Sequence, residues 1–282
     1  MTTRFSSTIP SCFLPRPRIA WTTLAALVSL LCLSASAGLA ATPHSQAKTA
    51  FTIAKIHSRG DYGLDADTTL NATVFKLSRR NREGGVSLAL PYLSITGPAT
   101  ALYEDIDTGE LFLVDIDEHR SGIGDMVMGF DRTVWEERRS SRKISLGASL
   151  KLPTGNEEKR LGNGAVDVSI FSNARTRIRQ DIISAQLGYQ LKGDTDATNY
   201  NNRLFASASL YHILDRKWGV GAGIRFKQAS LDGYQDQVSA NAFVSHGFAA
   251  PWAVGLRVNK GFTDSVADFS LAAQLTYHGN YQ

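Results

Sequence analysis

The chain has 282 residues, a formal net charge of +4 at pH 7 and two cysteines. Both cysteines, Cys12 and Cys32, lie within residues 1–41, so the rest of the chain can use neither a disulfide nor a catalytic thiol. The same stretch holds three arginines and no acidic residue, and the remainder has 27 basic against 26 acidic residues. This near balance gives no indication of a nucleic-acid partner.

Residues 1–41 have the pattern of a secretory signal peptide. A basic start precedes the apolar run 24–33, and small residues end the segment. The apolar run is short for a membrane-spanning helix, which needs about 20 apolar residues. We therefore predict a cleaved signal peptide at 1–41, a short N-terminal segment at 42–50 and one domain over 51–282. An uncleaved N-terminal anchor is the alternative.

The domain alternates apolar and polar residues over many short segments. In 144–152, for example, apolar residues at even positions alternate with Ser, Gly and Lys at odd positions. Because side chains alternate across a strand, each such segment predicts a strand with one apolar and one polar face. The twelve predicted strands are 51–58, 67–79, 85–96, 122–136, 142–153, 165–178, 181–192, 203–214, 217–228, 237–248, 252–262 and 267–278.

Two folds contain such strands: a soluble sandwich or barrel, in which the apolar faces form a core, and a transmembrane barrel, in which they face lipid. Most of the predicted strands have the roughly 9–11 residues that a tilted strand needs to span a membrane. Their connections alternate between longer segments, the longest at 97–121, and segments of five residues or fewer. Long loops at one end and short turns at the other are typical of outer-membrane barrels.

The large aromatic residues fall at the two ends of the apolar faces, as in the girdles of an outer-membrane barrel. They are Trp218, Phe248, Trp252 and Tyr277 at one end and Tyr189, Phe226, Phe262 and Phe269 at the other. We therefore predict an all-β, up-and-down antiparallel barrel in the bacterial outer membrane. Arg132 falls on the lipid face of its strand, which indicates either a bulge or an error in the predicted register.

Several short motifs follow one another along the first half of the domain. They are Arg59-Gly-Asp-Tyr-Gly-Leu-Asp-Ala-Asp-Thr68, Leu90-Pro-Tyr-Leu-Ser-Ile-Thr-Gly-Pro98, Gly122-Ile-Gly-Asp125, Leu150-Lys-Leu-Pro-Thr-Gly155 and Leu161-Gly-Asn-Gly164 with Asp167. In this order they resemble the outer-membrane transporter family named for the MetA pathway of phenol degradation. The resemblance implies a barrel that passes small molecules, with aromatic compounds as candidate solutes.

The motif residues have a structural and a functional interpretation. Glycine permits unusual backbone dihedrals where strands enter loops, and aspartate can cap a turn or pair with a basic residue. We favour this structural role over direct contact with a solute. The residues are Gly60, Asp61, Tyr62, Gly63, Gly122, Gly124, Asp125, Pro153, Thr154, Gly155, Gly162, Gly164 and Asp167.

The polar faces carry more basic than acidic residues. We expect seven basic residues to line the lumen and to set its selectivity: Lys151, Arg175, Arg177, Lys192, Arg225, Lys227 and Arg257. Basic residues around a pore favour anions. The competing interpretation is that these residues pair locally with Asp125, Asp131 and Asp167.

The histidines outside the signal segment fall in no recognisable enzyme motif, so we predict no catalytic residue, no metal site and no cofactor. The leading prediction is a channel for the passive uptake or diffusion of small solutes. Its partners would be outer-membrane lipid, the solute and the barrel-assembly machinery. The alternatives are a non-transporting structural or adhesion barrel and an outer-membrane enzyme with an unfamiliar site.

Overall fold

A computed structural model describes residues 47–62, 67–97, 119–137, 141–156, 159, 161–195 and 199–279. The predicted signal peptide therefore lies outside the described residues. Thirteen strands are present: β1 (Lys48–Gly60), β2 (Thr68–Arg80), β3 (Gly84–Thr96), β4 (Arg120–Ile123), β5 (Met126–Glu137), β6 (Arg142–Leu152), β7 (Asp167–Ile178), β8 (Asp181–Leu191), β9 (Arg203–Ile213), β10 (Trp218–Lys227), β11 (Gln237–Ala249), β12 (Trp252–Gly261) and β13 (Phe269–Gly279). The described part of the chain contains no helix long and apolar enough to cross a membrane.

The strands close into one antiparallel barrel. Successive strands pair along the chain, and β1 pairs with β13 from Thr49–Gly279 to Arg59–Phe269. Both β4 and β5 pair with β3, so the thirteen segments fill twelve positions in the wall. The predicted twelve-stranded barrel is confirmed, with strand ends that differ from the prediction by at most three residues. The predicted strand 122–136 is interrupted between Ile123 and Met126.

The connections are sorted by length between the two ends of the barrel. At one end each connection has seven residues or more, and at the other end each has two to four. In outer-membrane barrels the long connections are extracellular and the short ones are periplasmic. We use these names for the two ends.

The outer face carries a broad apolar belt. Side chains such as Leu187 and Ile224 are 59% and 63% exposed, although they lie in the middle of regular strands. Exposed apolar area on this scale is expected only where another apolar phase covers it, and a lipid bilayer is such a phase. The eight aromatic residues predicted for the two girdles are all exposed, and Trp252 packs edge-on against Tyr277 at 5.0 Å between ring centroids.

Arg132 remains on the outer face. It pairs with Leu146, which is itself exposed to the outside. The register shifts between Thr133 and Trp135, so the bulge lies just after Arg132 and does not turn it inward. Arg132 is level with Gly84, the first residue of β3, and its long side chain can extend toward the periplasmic headgroups.

The opposite orientations of two neighbouring residues on β8 can be tested directly. Leu187 faces outward, whereas Gln186 lines an internal cavity. Because an arginine on the lipid face costs about 2–4 kcal/mol at the bilayer midplane, Leu187→Arg should lower the free energy of unfolding by that amount. Gln186→Arg should have a much smaller effect. Urea unfolding of the barrel in lipid vesicles measures both, and equal losses would contradict the assigned orientation.

Candidate functional site: the lumen and the loop folded into it

The interruption between β4 and β5 is bridged by the connection that follows β6. The backbone N–H of Met126 donates to Thr154 Oγ1 at 2.9 Å, and this hydroxyl donates to the carbonyl of Gly124 at 3.1 Å. The N–H of Gly155 donates to Asp125 Oδ1 at 3.0 Å. Two motifs that are distant in sequence therefore meet here, and the connection 153–166, which we call the inner loop, supplies contacts that an uninterrupted strand would not need.

Four charged side chains form a buried ion cluster beside the inner loop. Lys151 Nζ lies 3.2 Å from carboxylate oxygens of both Asp125 and Asp167, and Lys192 Nζ lies 2.6 Å from Asp167. None of the four side chains is more than 4% exposed. Lys151 also donates to Asn163 of the inner loop. Two lysines and two aspartates balance one another, which offsets part of the cost of removing charges from water.

The cluster continues into the next extracellular connection. The N–H of Gly193 donates to Asp167 Oδ1 at 3.0 Å, and the ammonium of Lys192 lies 5.1 Å from the centre of the Tyr200 ring. Lys192 follows the last residue of β8. Burial lowers the pKa of Lys192 to about 8, because the desolvation of its ammonium outweighs the attraction of Asp167. The cluster thus links two extracellular connections to the wall.

The inner loop also has an apolar contact with the wall. Leu161 is 1% exposed and packs in a cluster with inward side chains of β1–β3, among them Leu70 and Leu93. A Cβ on Gly122 would lie 2.6 Å from Leu161 Cδ1, and a Cβ on Gly162 would lie 2.2 Å from Asp125 Oδ1. These two glycines therefore leave room for a close approach, and a larger residue at either position would require the Leu161 or Asp125 side chain to shift. The described part of the inner loop therefore packs against inward residues of β1–β3.

The remaining motif residues lie in two other places. Gly60 ends β1, and the N–H of Asp61 donates to Asp268 Oδ2 at 3.4 Å across the barrel closure. Tyr62 and Gly164 have left-handed backbones, with φ of 52° and 69°. Pro153 is the first residue of the inner loop. The predicted site residue Gly63 and most of the segment 97–121 lie outside the described residues.

The seven basic residues predicted to line the lumen do not form one group. Lys151 and Lys192 belong to the buried ion cluster, and Lys227 is 2% exposed at the extracellular end of β10. Arg175 and Arg177 are exposed near the periplasmic mouth, where Arg177 donates to the carbonyl of Arg179 at 3.1 Å. The two others, Arg225 and Arg257, lie half-buried in the lumen on β10 and β12.

Charge is sorted around the lumen. The strands β9–β13 contain no aspartate or glutamate, and their inward residues are mainly Gly, Ser, Asn and Gln with the basic residues. On the opposite side, Asp131 on β5 accepts two hydrogen bonds from Arg80, at 2.6 and 3.0 Å. One wall therefore carries charges of both signs, whereas the charged residues on the strands of the other are all basic. Sequence analysis did not find the Arg80–Asp131 pair, because residues 51 positions apart give no local signal.

A cavity of about 230 Å³ lies inside the barrel between β2, β3 and β5–β9. Two of its lining residues, Phe171 and Phe205, pack against glycines of the adjacent strands. A Cβ on Gly147 would lie 2.3 Å from the Phe171 ring, and a Cβ on Gly188 would lie 2.2 Å from the Phe205 ring. The glycines leave room for the rings at the wall, so the lumen gains aromatic faces without being filled by them.

The described residues contain no group of three or more His, Cys, Asp or Glu side chains placed to hold a metal ion. His212 pairs with Asp181 at 2.7 Å at the periplasmic end of the outer face, and His246 packs against Trp218. Both histidines therefore belong to the outer surface and not to the lumen.

The closed wall, the apolar belt and the two aromatic girdles define a transmembrane β-barrel of the bacterial outer membrane. Residues 45–278 match the family described as "Putative MetA-pathway of phenol degradation", and the chain belongs to this family. The predicted family is confirmed. No curated protein sequence matches the chain.

Solved structures share the fold. The chain is similar to the COG4313 outer membrane channel from Pseudomonas putida F1, with a TM-score of 0.64 and 12% identity over 85% of this chain and 99% of the other. It is also similar to the NanC porin, with a TM-score of 0.53 and 7% identity over 80% and 98% of the two chains. For the KdgM porin, the TM-score is 0.52 and the identity is 10%, over 80% of this chain and 98% of the other. At these identities the likeness concerns the fold.

We predict that removing a carboxylate from the buried ion cluster destabilises the barrel more than removing one from a partially exposed ion pair. Asp167→Asn leaves Lys151 and Lys192 with Asp125 alone, and breaking a buried pair costs about 3–5 kcal/mol. Glu136→Gln removes the partially exposed partner of Arg82 and should cost about 1 kcal/mol or less. Guanidinium unfolding of the two variants in vesicles measures the difference. Similar losses would show that the cluster does not stabilise the barrel.

The glycines under the aromatic rings predict an effect on the pore. Gly188→Ala should push the Phe205 ring into the lumen, because the new methyl group would overlap it. The barrel should still assemble, and its single-channel conductance should fall. Gly247→Ala is the matched control, since nothing lies within 4 Å of the added Cβ. If the two variants have equal conductance, the ring does not narrow the path.

Proposed function

We propose that the protein is a channel for the passive uptake or diffusion of small solutes across the bacterial outer membrane. The observation that carries this proposal is the inner wall formed by β9–β13. Gly223 on β10 and serines on β9 and β11 face inward, whereas the rings of Tyr211 and Phe243 lie over the inward Gly219 and Gly221. Small polar side chains leave space, whereas a barrel with a purely structural role can fill its interior with large side chains.

The charges of this wall support small anions as the favoured solutes. Arg225 and Arg257 lie close enough for each to influence the other, and the five strands β9–β13 supply no carboxylate to neutralise them. Fixed positive charge in a narrow, partly dehydrated path attracts anions and repels cations. Arg175 and Arg177 add further positive charge near the periplasmic mouth.

Among these solutes, aromatic compounds are the class that we propose the channel favours. The cavity offers the faces of Phe171 and Phe205 together with the amides of Asn173 and Gln186. An aromatic ring can stack on the phenylalanines while its hydroxyl or carboxylate group meets the amides and the nearby Arg80. The family description, which refers to phenol degradation, agrees with this class of solute.

Export and assembly complete the proposal. Residues 1–41 serve as the signal peptide that is removed on export, and the barrel-assembly machinery inserts residues 51–282 as the membrane domain. The path needs no cofactor, since diffusion down a gradient requires only a lumen of suitable width and charge. A structural or adhesion barrel, or an enzyme, would lack a current that depends on solute.

The reversal potential of the channel in a salt gradient tests the assignment. Wild-type protein should show anion preference, and Arg225→Gln with Arg257→Gln should move the reversal potential toward zero because the fixed charge is lost. Arg175→Gln with Arg177→Gln should have the same direction of effect. Lys260→Gln is the control, since Lys260 faces outward and should leave the potential unchanged.

Three outcomes separate the interpretations. The absence of any reproducible current would contradict the channel itself. A current with identical reversal potentials in all variants would support the channel but would show that the arginines do not determine its ion selectivity. Block of the current by an aromatic carboxylate, but not by an aliphatic carboxylate of similar size, would support the aromatic subset.

A further inference from the structure

The outer face of β1–β3 breaks the pattern of the apolar belt. On β1 the outward residues Phe51 and Ile53 are followed toward the extracellular end by Lys55, His57 and Arg59. Most of the outward residues beside them on β2 and β3 are polar as well, namely Thr69, Asn71, Thr73 and Ser94, and Tyr92 is the aromatic register partner of Thr73. We call Lys55, His57, Arg59, Thr69, Asn71 and Thr73 the basic patch.

The orientation of the basic patch is fixed by the residues between its members. Ala54 and Ile56 alternate with Lys55 and His57, and both are buried inside the barrel, at 1% and 6% exposure. Leu70 and Ala72 on β2 are buried in the same inner cluster. Rotating these strands by one residue would move this apolar cluster, including its contact with Leu161 of the inner loop, to the outside. The basic patch therefore faces outward as a consequence of the inner packing.

The basic patch extends into the level of the membrane. His57 pairs with Leu271 on β13, and Leu271 pairs with Val258 on β12, so two lipid-facing apolar residues share its register. Four residues of a strand tilted by about 40° span roughly 10 Å along the membrane normal, which places Lys55 about 10 Å below Arg59. Charged and polar groups at that depth are costly in hydrocarbon unless an oppositely charged polar group reaches them.

The charge and hydrogen-bonding groups of the basic patch define its complement. Arg59 pairs with Asp67, the one carboxylate that an ion pair links to the patch among the described residues. Lys55 Nζ donates to Thr73 Oγ1 at 3.3 Å, and His57 Nδ1 lies 3.0 Å from Asn71 Oδ1. The patch thus presents an excess of basic groups and hydroxyls. Phosphate is the anion that such a set of donors binds best from a lipid surface.

We propose that the basic patch binds the phosphate groups of a phosphorylated lipid in the outer leaflet, whose acyl chains lie on the apolar outer face below it. That apolar surface is present: Ile53, Phe75 and Leu77 are exposed on β1 and β2 toward the periplasmic end. The headgroup of one lipid can therefore bind the basic patch while its acyl chains pack on the apolar residues of the same strands. Binding requires the Lys55 ammonium, which contacts its register partner Thr73 in the structure, to turn toward the headgroup, as lysines do near membrane interfaces.

The test compares two forms of one lipid on the full mature barrel. Lipid A carrying its phosphates and lipid A with the phosphates removed are added to the detergent-purified protein. Bound lipid is counted by native mass spectrometry, and the midpoint of heat-modifiable unfolding is followed on gels. Wild-type protein should bind the phosphorylated form at least about tenfold more tightly, since charge-assisted contacts are lost without phosphate.

Three variants localise the binding. Lys55→Gln with His57→Gln should lose the preference for the phosphorylated lipid, whereas Lys260→Gln, which removes an outward lysine at the extracellular end of β12, should keep it. Lys55→Leu with His57→Leu should assemble at least as well as wild type, because it replaces costly groups on the lipid face, and should also lose the preference. Conductance is not used, so the outcome is independent of the channel proposal.

Several results would overturn the proposal. Equal binding of the two lipid forms, or an unchanged preference in both double variants, would exclude phosphate recognition at the basic patch. The same stabilisation by inorganic phosphate alone would exclude a lipid as the source of the anion. Cross-linked dimers that disappear in the Lys55 and His57 variants would identify the patch as a contact between two copies of the chain.

Discussion

The rest of the structure depends on the closure between β1 and β13, which gives every strand two hydrogen-bonded neighbours. Within hydrocarbon, an unpaired backbone N–H or carbonyl costs several kcal/mol, so a wall of strands is stable there only if it has no edge. Once the wall is closed, alternation assigns each residue to lipid or to lumen. The apolar belt, the girdles and the polar lumen are consequences of that assignment.

The same requirement explains the buried ion cluster. The strand is interrupted between β4 and β5, where the N–H of Gly124 donates to Pro91 of β3, and the N–H of Met126 and the carbonyl of Gly124 hydrogen-bond to the Thr154 hydroxyl. Asp125 accepts a hydrogen bond from the N–H of Gly155 in the inner loop, and Lys151 neutralises the Asp125 carboxylate that this arrangement buries. Most of the motif residues therefore lie around this one interruption of the wall and connect the segments that meet there. Their glycines are explained by the lack of space between the inner loop and the strands.

Sequence alternation was sufficient to predict the strands, for example 181–192 against the observed Asp181–Leu191, because a strict two-residue period leaves few alternatives. It could not identify the inverted sector of β1–β3, where Leu70 and Ala72 face inward and Lys55 faces lipid. Alternation gives the two faces of a strand but not which face is inside. It placed Lys151 on the inner face and gave pairing with Asp125 and Asp167 as an alternative to a role in selectivity, but it could not identify the contact with Asn163, which reaches Lys151 only through the inner loop.

The two sides of the lumen have different roles: one stabilises the barrel, and the other forms the solute path. On the side of β1–β8, the inner loop, the apolar cluster and the paired charges use the interior to hold the wall together. On the side of β9–β13, the inward residues are mainly small or polar, with the Tyr211 and Phe243 rings over the glycines of β10, and the basic residues have no acidic neighbours on their own strands. Changes to the second side can therefore alter the charge of the path without disturbing the contacts that keep the barrel folded.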